Sequence, residues 1–395
     1  MRRLLLAMVV MVPAGIAWAA FSDTYPPALD NPAIHYDRDA TDPVAKLDAR
    51  LKDGSVKLAY DDRGGYLKAL LDALQIPVES QVFVQSKTSF QARLISPENP
   101  RSIFFNDRVA VGWMNKGFIE IASQDPVQGI IFYLLEQDPK RAPRFHRDDS
   151  CVSCHRNDAT LGAPGVFARS FPILPDGEPL LIYGAGFTDH RTPLEQRWGG
   201  WYVTGAPAGV RHMGNAVLVD RDKPNTVNST SVASLADKFP VDKYLSPYSD
   251  AAALLVFDHQ MQMMNYITRL GWDARAGEKY EENVKEFVDY LLFVNEAKLT
   301  QPMGGEAGFA KTFSAQGPRD SKGRSLRQLN LKTRLLEYPC SYLIYSEAFD
   351  ALPTAAKASV YKRMYQVLTT SPTPTKQAVM EILRETKPEV QQYFR

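Results

Sequence analysis

Apolar residues recur along this chain with two different periods, and the change from one to the other divides it. Between 81 and 135 they come as short β-branched and aromatic runs, at 81–84, 102–105, 109–113, 118–122 and 129–135. Asn, Asp and Gly break these runs, which predicts strands, with a hairpin turn at Asn115-Lys116-Gly117. Further strands are expected at 167–173 and 180–183, and a strand pair at 201–204 and 216–219. Helices are expected at 44–52 and 65–74. From about 232 the apolar positions fall three and four residues apart, predicting helices over 249–271, 277–299, 355–369 and 375–386. The pattern therefore reads as α+β, a strand-rich N-terminal and central part followed by a helical C-terminal part. Residues 251–257 are apolar all round, the mark of a helix buried on every side. Helical spacing then aligns His259 with Leu255, Met263 and Tyr266, beside a polar stripe of Asp258, Gln262, Asn265 and Arg269.

The first residues belong to neither period. Met1-Arg2-Arg3, an apolar run over 4–17 and Ala17-Trp18-Ala19 form the basic, apolar and small-x-small regions of a secretory signal cleaved after Ala19. The run is short for a membrane span and contains Pro13, and no later run approaches spanning length. The expectation is an exported mature chain with no membrane span, periplasmic where there is an outer membrane. Four segments follow: a signal at 1–19, an α/β region at 20–140, a central region at 141–231 and a helical region at 232–395. Lys and Arg number 46 against 45 Asp and Glu, a formal charge of +1. Nothing in so balanced a charge points to nucleic acid.

The central region contains Cys151-Val152-Ser153-Cys154-His155. Two thiols three residues apart on one turn can each add across a haem vinyl group, and the adjacent imidazole can then ligate the iron. Asp148, Asp149 and Ser150 precede the first thiol and supply caps for a short helix there. A zinc site would need a second pair of ligands, and the only other cysteine, Cys340, stands alone. A redox dithiol would be expected near a βαβ pattern, which is absent. The motif thus predicts one covalent haem c, held by Cys151 and Cys154 with His155 as proximal ligand, and makes 141–231 the haem-binding region. A simple electron carrier needs about a hundred residues around one haem, and this chain of 395 has far more.

A sixth iron ligand would come from elsewhere. His146, His190, His212 and His259 can each approach a haem; His190, His212, Met213 and His259 are the distal candidates. Arg211-His212-Met213-Gly214-Asn215 is a Gly-flanked loop, and Asp189 could orient His190. For His259 the plainer reading is a hydrogen bond within the core. Arg197 and Trp198, in Arg197-Trp198-Gly199-Gly200-Trp201-Tyr202, could line a haem, the guanidinium pairing with a propionate; otherwise the segment is an aromatic strand with a bend.

At these residues the chain resembles exported bacterial proteins described as cytochrome c domain-containing. The likeness rests on the haem motif with Leu161-Gly162-Ala163-Pro164-Gly165, on 188–205, on His212-Met213-Gly214-Asn215, and on Gly317-Pro318-Arg319-Asp320 through Tyr338-Pro339-Cys340-Ser341-Tyr342. The resemblance implies haem c and export but no substrate. The leading expectation is a monohaem c-type cytochrome passing single electrons to or from a redox partner protein or a small-molecule donor or acceptor. The alternatives are a peroxidase- or oxidase-like haem enzyme with an open distal site, and a haem-based gas sensor.

Overall fold

In the computed structural model, which describes residues 25–184, 186–219, 231–305 and 307–394, the short apolar runs pair into one sheet. The secretory signal expected at 1–19 lies outside the described residues. Two helices come first, α1 (Pro43–Lys52) and α2 (Leu67–Ala73). The strands are β1 (Val82–Val84), β2 (Arg101–Phe105), β3 (Val109–Trp113), β4 (Ile119–Asp125), β5 (Gly129–Leu135), β6 (Phe145–Arg147) and β7 (Trp201–Tyr202). Their order is β6-β5-β4-β3-β2-β1-β7, and every neighbouring pair is antiparallel. The turn at Asn115-Lys116-Gly117 joins β3 to β4, with Lys116 in the left-handed region at φ 67°.

Register decides which side chains share a face, because side chains alternate along a strand. Ile103 lies opposite Gly112, Gly112 opposite Glu120, Glu120 opposite Leu134, Leu134 opposite His146, and Ala122 opposite Phe132. These residues, with Arg101 and Phe105, form one face. The other face carries Phe104, Trp113, Ile121 and Tyr133, and the Tyr133 hydroxyl donates to Asp42 at 2.6 Å, beside the start of α1.

The first face is covered at one end by α4 (Ala251–Ala276), where Phe105 stacks on Phe257 at 4.4 Å. This helix starts at Asp250, whose carboxylate accepts the Ala252 N–H, and stops at Gly277, left-handed at φ 75°. It is buried from Ala251 to Asp273, so burial extends beyond the all-round apolar stretch 251–257 to the polar stripe that follows. Around it pack α5 (Glu281–Leu291), α6 (Phe309–Ala315), α7 (Glu347–Asp350) and α8 (Thr354–Thr369), with α9 (Pro374–Thr386) against α8. A single apolar cluster runs from Ile34 to Phe394 and joins the sheet to these helices. No helix among the described residues is long and apolar enough to cross a membrane.

The chain is α+β with a helical C-terminal part, but its central segment is less regular than its apolar runs predict. No strand forms at 167–173, 180–183 or 216–219. Two single bridges, Ala168 to Thr188 and Ile173 to Pro179, stand in their place, and Leu181–Tyr183 is a 3₁₀ turn. The strand at Trp201–Tyr202 pairs with β1 and not with 216–219, where the Leu218 N–H reaches the Ile173 carbonyl. The cause is local: Pro172, Pro175, Gly177, Pro179 and Gly184 remove ladder donors and loosen the backbone. The helix expected over 277–299 ends early, at Leu291, because Phe293 and Asn295 take left-handed conformations at φ 57° and 65°.

Candidate functional site

The Cys151-to-His155 run lies where β6 leaves the sheet. Asp148 accepts the Ser150 N–H at 3.0 Å and caps a 3₁₀ turn at Asp149–Cys151, which continues into α3 (Val152–His155). Both thiols are free, Cys151 half-buried and Cys154 exposed. The His155 ring sits 4.8 Å from that of Phe132 on β5 and 5.4 Å from that of Phe167.

Two hydrogen bonds clamp His155 to Gly165. The Gly165 N–H donates to the His155 carbonyl, and Nδ1 of His155 lies 2.9 Å from the Gly165 carbonyl. A carbonyl only accepts, so Nδ1 carries the proton and Nε2 of the neutral ring keeps its lone pair. Among the described residues no protein group bonds to Nε2. Burial favours the neutral ring, lowering the His155 pKa; the Gly165 carbonyl opposes this, while nearby Arg101 and Arg169 reinforce it. Burial also pushes the Cys151 thiol up to about 11, assisted by Asp148 and Glu120.

The loop behind the motif is fastened by side chains, because it has no sheet ladder. Asn157 and Thr160 form a capping box, and Arg156 donates to the Gly162 carbonyl at 2.8 Å. Asn265 of α4 grips Val166 at both ends, accepting its N–H at 3.2 Å and donating to its carbonyl at 2.8 Å. A Cβ at position 165 would lie 2.1 Å from Asn265 Oδ1, so any larger residue there would displace the Asn265 side chain. Arg269, one turn beyond Asn265 on the same stripe, donates to the Leu161 carbonyl and is itself paired with Asp273 at 2.8 Å. The polar stripe of α4 thus holds the segment that holds His155.

Two arginines that sequence reasoning missed border the site. Arg101 crosses Gly112 to reach Glu120 at 3.1 Å. Arg169 is exposed, lies over the rings of Phe167 and Phe171 at 5.2 and 5.6 Å, and has no carboxylate partner among the described residues. Only the spacing of Phe167, Arg169 and Phe171, two apart in an extended segment, hints that the three share a side.

The residues selected from sequence divide differently. Arg197 and Trp198 are buried and spent on protein: Arg197 donates to the carbonyls of Thr192 and His190, and both approach Asp258, at 3.4 and 3.0 Å. Asp258 is pushed up to about 7 by burial, against the pull of Arg197. His190 and His259 bond to each other, Nδ1 to Nδ1 at 2.8 Å, and His259 Nε2 meets Ser341 at 2.8 Å. His259 therefore has its partners within the core. His212 is buried against Trp198, and its Nδ1 accepts the Gly214 N–H at 3.0 Å. The Met213 sulfur accepts a hydrogen bond from Ser170 at 3.5 Å, and that hydroxyl takes the Gly199 N–H. The contacts of Ser170 thus lie with Gly199 and Met213, while Phe167 lies against His155 and Arg169 over Phe167 and Phe171. Cys340 is fully buried, and burial raises its thiol pKa strongly.

Neither a family model, a curated protein nor a solved structure matches the chain. The donor set at α3 nonetheless suits haem c. It offers two free thiols on one turn, an imidazole whose proton is fixed on the far nitrogen, an aromatic wall and a guanidinium to spare.

Proposed function

We propose that this chain is an exported c-type cytochrome, holding one haem c and exchanging single electrons with a redox partner. The observation that carries the reading is the hydrogen bond from His155 Nδ1 to the Gly165 carbonyl, next to two free thiols. A second-position carbonyl that fixes the tautomer is how an iron-ligating imidazole is oriented, and it makes the ligand nitrogen more basic. Cys151 and Cys154 are the points of covalent attachment, His155 is the proximal ligand, and Arg169, exposed and without a carboxylate partner among the described residues, would pair with a propionate. The chemistry gained at the site is one-electron exchange at iron. Phe132 and Phe167 shield the imidazole from water, which helps set the potential of that exchange. The export expected from residues 1–19 belongs to the same proposal, since haem c attachment takes place outside the cytoplasm.

One observation favours the second reading, a haem enzyme or gas sensor with an open distal face. His190, His212 and His259, three of the distal candidates, are engaged with protein groups in the core. The test is to co-express the full chain with a haem c maturation system and measure intact mass and optical spectra of wild type, C151A and C154A. Covalent haem in the wild type, lost or weakened to one bond in the variants, is expected. Absence of covalent haem overturns the proposal. Carbon monoxide binding by the reduced protein would select the open-site reading.

A further inference from the structure

We infer that His146 is the distal partner of His155. The inference rests on the haem reading above and names the residue that completes the site. His146 is on β6 and lies opposite Leu134, so its side chain rises from the same sheet face as Phe132 and Leu134. Phe132 is the residue on which the His155 ring rests. His146 and Phe132 are diagonal neighbours across β5 and β6, since Phe132 opposes position 148 in the same register.

Diagonal positions on an antiparallel pair are about 7–8 Å apart. Two imidazoles on opposite sides of one metal, with bonds of about 2 Å each, have ring centres about 6 Å apart. An imidazole resting on Phe132 and another rising from position 146 therefore share one face of the sheet, within the range of separations a shared iron requires. Leu134, half-buried and directly opposite His146, gives that face an apolar floor.

Availability separates His146 from the other histidines. His190 and His259 are joined in the core, and His212 is held under Gly214. His35 is in the N-terminal arm, 3.7 Å from Asp37. His146 is exposed, and among the described residues its ring has no hydrogen bond, ion pair or ring contact. An exposed imidazole on an edge strand, beside a helical turn bearing two thiols, has a ligand's freedom without the cost of breaking a core contact.

The experiment uses the full chain matured with haem, as wild type, His146→Ala and His146→Met. Intact mass reports covalent haem, and ferric and dithionite-reduced spectra with and without carbon monoxide report the coordination. The expected wild type is low-spin and indifferent to carbon monoxide. His146→Ala should keep covalent haem, turn high-spin when ferric, bind carbon monoxide when reduced, and return to low-spin with added imidazole. His146→Met should remain low-spin with a higher reduction potential, since thioether ligation favours the reduced iron. A low-spin His146→Ala protein that ignores carbon monoxide overturns the inference, as does a wild type that is already high-spin. If His146→Ala cannot be matured, the His146→Met potential decides, and an unchanged potential overturns the inference. Wild type without covalent haem refutes the underlying reading instead, so the two failures are distinguished by mass.

Discussion

Replacing Asn265 with alanine tests whether α4 supports the site through its polar stripe. Asn265 is 1% exposed, while Val166, whose backbone it holds, is half-buried. The substitution leaves the Val166 N–H and carbonyl without partners, and also removes a 2.9 Å bond to Gln262. A buried polar group stripped of its partner costs about 1–3 kcal/mol, and water reaching half-buried Val166 recovers part of that, so the two backbone groups together predict a loss of about 1–3 kcal/mol. Urea unfolding followed by circular dichroism measures this, with an unchanged denaturant slope showing that the unfolded reference is the same. Because Val166 adjoins Gly165, the Nδ1 proton of His155 should also exchange faster with solvent, which nitrogen-labelled NMR detects. A loss below about 0.5 kcal/mol, with no change in that proton, would refute the view that the stripe positions His155.

Acid should weaken the fold through its buried imidazoles. Burial lowers His212 to about 4 and His259 to about 3, and lowers His190 as well. Unfolded histidine takes its proton near pH 6.5 and the native rings refuse it, so stability is complete above that pH and falls towards pH 4. Each ring contributes about 1.4 kcal/mol per pH unit in that window, and His212→Gln should reduce the slope by one such share. Equal slopes for variant and wild type would sink this account. The thiols supply a further check in protein lacking haem: exposed Cys154 should alkylate first, half-buried Cys151 more slowly, and Cys340 only on unfolding. Peptide masses after brief iodoacetamide treatment give the order, and native labelling of Cys340 at the rate of Cys154 would contradict it.

Features set by near neighbours are legible in the order of residues alone. The strand runs from 81 to 135 need only alternation and turn residues, and 109–113 and 129–135 have the bounds their apolar runs predict. The buried start of α4 declares itself by being apolar all round over 251–257, and the cap before Cys151 by Asp148. The Cys-x-x-Cys-His run is likewise local, since the chemistry it invites depends on spacing along one turn. The strands expected at 167–173 and 216–219 do not form because β-branched runs express a preference that prolines and glycines beside them override.

Other features depend on contacts between residues far apart in the chain. No local pattern states that Asn265 will hold Val166, 99 positions away, or that His190 will meet His259, 69 positions away. Arg197 and Trp198 have the composition of cofactor neighbours, yet Asp258 occupies them both; Arg169 has no local distinction, yet it lies over Phe167 with no carboxylate partner among the described residues. His146 is the sharpest case. Alternation along β6 requires that it share a side with residues two away, but only pairing with β5 makes that side the one His155 rests on. Periodicity is a property of the backbone and is written in every short stretch. Which face meets which partner is settled by register and packing, where many distant side chains compete at once.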